Sequence, residues 1–199
     1  MRRRSVSIDR NDARGRKVSF LAFSRVLPTV DWYAVGNSPG IASGYQEDRV
    51  VDIIQKEKAE NDLVFVYIHW GKEKISHPEQ YIRNYGKMMV DAGADAVVGS
   101  HPHVLQGVEY YKEKPIAYSL GNFLFPDYVS GLSADTGIMN FVVDDKITLE
   151  FFPYVILDNQ IVGPSDTYIE SQRRYLEGIS YFVKAESLGN GGFVLLPKQ

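Results

Sequence analysis

The sequence contains no cysteine. Disulfides and thiolate metal ligands are therefore excluded, and any metal must be held by histidine, carboxylate, amide or water. Histidine is scarce too, with four in 199 residues. Positive charge is not in excess: 22 Lys and Arg stand against 25 Asp and Glu, a formal net charge of −3. Composition thus gives no support for a nucleic-acid partner. No apolar run reaches membrane-spanning length, and the basic start Arg2-Arg3-Arg4 lacks the apolar h-region of a secretion signal after it. There is no internal repeat and no low-complexity segment.

What is present suits a folded core. The chain is 44% hydrophobic and 13% aromatic, which argues against disorder. The pattern reads as one mixed α/β domain over 17–199, preceded by a loose leader over 1–16. KVSFLAFSR (17–25) reads as a buried strand and EDRVVDIIQKEKAEN (47–61) as an amphipathic helix. DLVFVYIHW (62–70) is an apolar run of β-formers that suits a strand buried on both faces. HPEQYIRNYGKMMVDAG (77–93) predicts a helix with Pro78 in its first turn and Gly93 just past its end. ADAVVGS (94–100) is the next strand. VLQGVEYY with IAYSLGNFLF, and GIMNFVVD with ITLEFFPYVILD, read as two hairpins. A last helix is expected over 165–183, capped by Ser165 or Asp166, and the tail LGNGGFVLLPKQ reads as loose or edge-paired.

Strand, helix and strand over 62–100 form a βαβ unit with parallel strands. His69 then sits at the carboxyl end of one strand and His101 just past the carboxyl end of the next, where open α/β sheets gather ligands. In GSHPH, Pro102 is expected to push His101 toward extended backbone and Gly99 to allow a sharp turn. His101 and His103 should then point to opposite sides of a stiff loop, serving two neighbouring metals or one metal and a phosphate. A lone strand-end histidine is ordinarily a surface residue. Three of them at matched strand ends point to metal or phosphate. His77, before Pro78, is a helix-start residue. Glu73 is a candidate outer partner for a ligand histidine, Asn122 a candidate amide contact to metal or phosphate, and Arg25 the strand-end cation that would suit phosphate.

FLAFSRVLP, IHWGKE and GADAVVGSHPHVLQGVEYYKEKPIAYSLGNFLF, in this order, resemble the bacterial capsule-synthesis (CapA) family of poly-γ-glutamate biosynthesis proteins. That family is similar to the calcineurin-like metallophosphoesterases. The resemblance implies a layered α/β/β/α sandwich with a two-metal site at the strand ends. His69 and His101 would share one divalent ion (manganese, iron or zinc), and His103 would go to its neighbour or protonate the leaving group. The family's N-terminal half, with its Asp and Asn-His motifs, has no counterpart here, so the chain reads as a C-terminal half with an incomplete site and weak or absent turnover. Exposed sheet edges would favour a homodimer. The resemblance further implies a phosphoester or capsule polymer as ligand and the capsule-synthesis machinery as partner. Members are commonly tethered at the membrane, and no anchor is evident here. The rival expectations are a non-catalytic binding or assembly module for capsule polymer synthesis or export, and an inactive remnant.

Overall fold

The computed structural model describes residues 10–11, 14–125 and 129–198. Of the expected leader, Arg10–Asn11 form a short strand, β1, and the remainder of 1–13 lies outside the described residues. Then follow β2 (Lys17–Ser24), α1 (Glu47–Glu60), β3 (Leu63–His69), α2 (Gln80–Asp91) and β4 (Ala96–Ser100). The hairpin β5 (Val108–Tyr111) and β6 (Lys114–Ala117) completes a six-stranded sheet in the order β1-β2-β3-β4-β6-β5. Its β2, β3, β4 and β6 are mutually parallel, and the two outer strands are antiparallel. A second, antiparallel sheet is built from β7 (Asp135–Val143), β8 (Ile147–Leu157), β9 (Gln160–Val162), β10 (Val183–Ser187) and β11 (Phe193–Pro197). The helix α3 (Asp166–Ile179) lies between β9 and β10 in sequence. Among the described residues, no helix is long and apolar enough to cross a membrane.

The apolar periodicity explains the layers. In α2 the residues Ile82, Tyr85, Gly86 and Met89 are buried, the 3-4 spacing of one helix face. In β3 the buried residues are Val64, Val66 and Ile68, alternating with less covered ones, the period-2 signature of a strand with one well-covered face. These residues meet Leu21 and Phe23 of β2 and Val50 and Ile54 of α1 in the first core. A second core joins Val108 and Ala117 to Leu149, Phe151, Phe193 and Leu195 of the second sheet and to Leu176 and Ile179 of α3. The chain therefore adopts the expected layered α/β arrangement with two sheets and helices.

Several details differ from the sequence reading. The face of β3 away from the helices is half open, with Tyr67 50% exposed. The second sheet stacks beside β6 and β5 and reaches β3 through Phe141, edge-on to Phe65. α2 begins at Gln80, because Glu79 is extended (φ −62°, ψ 152°) and leaves Pro78 outside the helix. α3 ends at Ile179, where Ser180 turns extended (φ −88°, ψ 161°), and the chain reaches β10 through Phe182 at positive φ (54°). The tail is an interior strand, since β11 is flanked by β10 and β8.

Candidate metal centre

Register builds the site. Ser24 pairs with His69 across β2 and β3, and His69 pairs with Ser100 across β3 and β4. Paired residues of parallel strands share a face, so Ser24, His69 and Ser100 form a polar row at the carboxyl ends. The His69 ring lies 4.7 Å from the His101 ring, which lies 5.8 Å from that of His103. Ligand atoms of Glu73, His101 and His103 fall within 4.8 Å of one another. Glu73 thus sits among the donor atoms rather than outside them. The loop carrying it is tied to the histidine loop by a hydrogen bond from Lys74 N to Pro102 O (2.7 Å).

The histidine loop is not extended. His101 has φ 98° and His103 φ 58°, against the expectation from Pro102. These left-handed values turn both imidazoles to one side, where a straight segment would splay them. Such backbone costs about 1–3 kcal/mol per residue and recurs at functional sites. Gly99 serves space and not turning. A Cβ there would stand 2.0 Å from Tyr118 O and 2.2 Å from Trp70 Nε1. The buried indole instead passes over the glycine and donates to Tyr118 O at 3.0 Å.

Hydrogen bonds select the ring tautomers. His69 Nδ1 lies 3.2 Å from Val26 O. A backbone carbonyl only accepts, so Nδ1 carries the proton and Nε2 keeps its lone pair. The 5%-exposed Asn122 donates through Nδ2 to Ser133 O (2.9 Å) and His103 O (3.3 Å), which leaves its Oδ1 to accept from His103 Nδ1 at 2.7 Å. His103 is therefore fixed with a free Nε2 as well. This is the second-layer support that metal-binding imidazoles characteristically have. Burial pushes the pKa of His69 down, with His103 adding to this and the Val26 bond opposing it. Burial, then His69, lowers that of His101, with His103 adding and Glu73 opposing. Both rings thereby favour the neutral form that binds metal.

The other candidates are placed as follows. Asn122 acts on His103 through its amide. Arg25 reaches Glu47 at 3.3 Å, and its guanidinium lies over the rings of Tyr85, Tyr45 and Tyr81 at 4.6, 5.2 and 5.8 Å. Its backbone N–H donates to His69 O, which ties the next segment to the site. His77 is exposed in the loop before α2, outside the helix start expected for it. Sequence reasoning missed Val26, which contributes a carbonyl and so has no side-chain signature, and Ser100, whose Oγ is buried without a partner. Donor set, tautomers and clustering together fit a divalent cation.

The bacterial capsule synthesis protein family PGA_cap matches residues 3–127, more than half of the sequence. The chain belongs to that family. Among its relatives, the PGA biosynthesis protein CapA of Bacillus subtilis is 43% identical over 89 residues, 45% of this chain and 23% of that one. The capsule biosynthesis protein CapA of Bacillus anthracis is 52% identical over 69 residues, 35% and 17% respectively. This PGA_cap chain thus spans about a fifth of the length of these two relatives. A Staphylococcus aureus structure assigned as a 5′-nucleotidase gives a TM-score of 0.47 at 15% identity, over 86% of this chain and 33% of that one. That score is too low to carry the fold, which rests on the sheet order and layering described above.

Proposed function

We propose that the chain forms a metal-dependent, phosphoester-binding centre of a poly-γ-glutamate capsule biosynthesis protein, working with the capsule-synthesis machinery. The observation that carries this reading is the pair of imidazoles, His69 and His103, whose Nδ1 atoms are occupied by Val26 O and Asn122 Oδ1, so that their Nε2 lone pairs are free. His69, His101 and His103, with the Glu73 carboxylate, would hold a divalent ion of the manganese, iron or zinc class. When bound, such an ion supplies Lewis-acid polarisation of a phosphoryl oxygen. His103, oriented by Asn122, keeps Nε2 available either as a ligand or, once protonated there, as a donor to a leaving oxygen. Among the described residues, this donor set suffices for one ion and would leave a second incompletely held, so turnover of a generic aryl phosphate should be weak or absent. A non-catalytic polymer-binding role is less favoured, because Arg25 is engaged by Glu47 and three tyrosine rings.

Elemental analysis of the purified chain tests the reading. Near-stoichiometric manganese, iron or zinc is expected, with loss in His101→Ala. Absence of bound metal after saturation with each ion, in a folded wild-type chain, would refute it.

A further inference from the structure

A cavity of about 560 Å³ lies beside the metal centre and shares His69 with it as a common wall. This size falls in the range of small-molecule sites. Its surface is mostly apolar, formed by Leu27, Trp32, Ile41 and Ile53, with Ser43 and Arg49 among the few polar contributors. The outer wall is an irregular segment that is nonetheless organised. Ile41 N donates to Trp32 O and Ala34 N to Ile41 O, at 2.8 and 3.0 Å. Ser24 N donates to Ala42 O, and Gly44 N to Ser24 O, which anchors the segment to β2. Gly40 is required by this closeness, because a Cβ there would meet Ala34 N and Trp32 O at 2.6 Å. Trp32 lines the pocket yet remains 54% exposed, the state of an aromatic wall whose ring a ligand would cover.

We propose that this pocket holds the apolar, planar alcohol portion of a phosphoester whose phosphoryl end lies at His69, His101 and His103. The site therefore selects aryl-type esters over inorganic phosphate, and Trp32 is the main determinant of that selection. The proposal rests on the metal-centre reading for the phosphoryl end alone; the pocket can be tested without it.

The test uses the whole chain and three probes: phenylphosphonate, which has no ester bond to cleave, inorganic phosphate, and phenol. The sequence has two tryptophans. Trp70 is fully buried beneath Tyr118, so an emission change on binding reports Trp32. With manganese present, phenylphosphonate should shift the emission saturably and bind at least tenfold more tightly than phosphate by calorimetry. Trp32→Ala should abolish that preference while leaving phosphate binding unchanged. Gly40→Ala, which adds a methyl group at a lining position and distorts the wall, should do the same with an unaltered far-UV spectrum. Equal affinity for phenylphosphonate and phosphate in the wild type, or a preference that survives in Trp32→Ala, would overturn the proposal. Failure of the metal reading appears separately, as absent binding of manganese, iron and zinc alike, because phenol must still shift Trp32 emission in metal-free protein if the pocket is correctly assigned.

Discussion

At the scale of single residues, the site depends on who holds each imidazole. The histidine pair was visible in the sequence, and so was Asn122. Their relation was not, because it needs the 19-residue excursion from His103 to Asn122 to close in space. The backbone at His101 was misjudged for a related reason: local proline sterics favour extension, and tertiary contacts of the loop override them. Asn122→Ala separates orientation from ligation. It removes the acceptor from His103 Nδ1 and the donor to Ser133 O. Metal affinity should fall about 10–100-fold, and stability by about 1–3 kcal/mol, since a part-buried carbonyl loses its donor. Calorimetric titration and urea unfolding measure the two effects. Unchanged metal affinity would show that Asn122 serves folding alone.

Elements are where the sequence was most legible, because period-2 and 3-4 patterns are local. The β5–β6 hairpin was expected, but its turn chemistry was not. Lys112 and Glu113 both have positive φ, 48° and 64°, a geometry that favours Asn-Gly. Their side chains pair with Asp91 and Lys146 on the surface, and exposed pairs contribute little. Replacing the two residues by Asn-Gly should therefore stabilise the fold by about 0.5–2 kcal/mol, seen as a higher melting temperature. A lower one would mean that the surface pairs outweigh backbone strain. Asp95 fastens three elements together, bonding Lys58 of α1, Lys114 of β6 and Val64 N of β3. Burial pushes its carboxyl pKa up, and the bonds from Lys114, Lys58 and Val64 N together bring it below the ordinary range. A depressed carboxylate contributes stability that is complete above its unfolded pKa, about 3.9, and is lost as pH falls through the lower folded value. Asp95→Asn should cost about 2–4 kcal/mol at pH 7. The gap from wild type should close below about pH 4, as denaturant titrations across pH would show. A gap independent of pH would assign the cost to packing.

For the whole molecule, the β7–β8 hairpin of the second sheet was legible, whereas the β10–β11 pairing was not, and the stacking of that sheet came only from the family resemblance. Layer contacts join residues far apart in sequence and leave no periodic trace. The stacking leaves one face uncovered. Phe20 and Tyr67 are 45% and 50% exposed, and together with Phe65, Phe141 and Val143 they line an apolar groove over β2 and β3. Among the described residues, β1 pairs only with Lys17 and Val18 of β2. An apolar face next to an open strand edge drives association, and the occupant always available in a pure solution is a second copy of the chain. Sedimentation across micromolar concentrations should therefore show reversible self-association. Phe20→Ser with Tyr67→Ser should abolish it, because both side chains point off the sheet and leave the helix-side core untouched. The proposed metal centre lies at the carboxyl ends of the same strands, so metal binding should survive this double substitution. A wild-type chain that remains monomeric throughout that range would show that the groove is tolerated open to water.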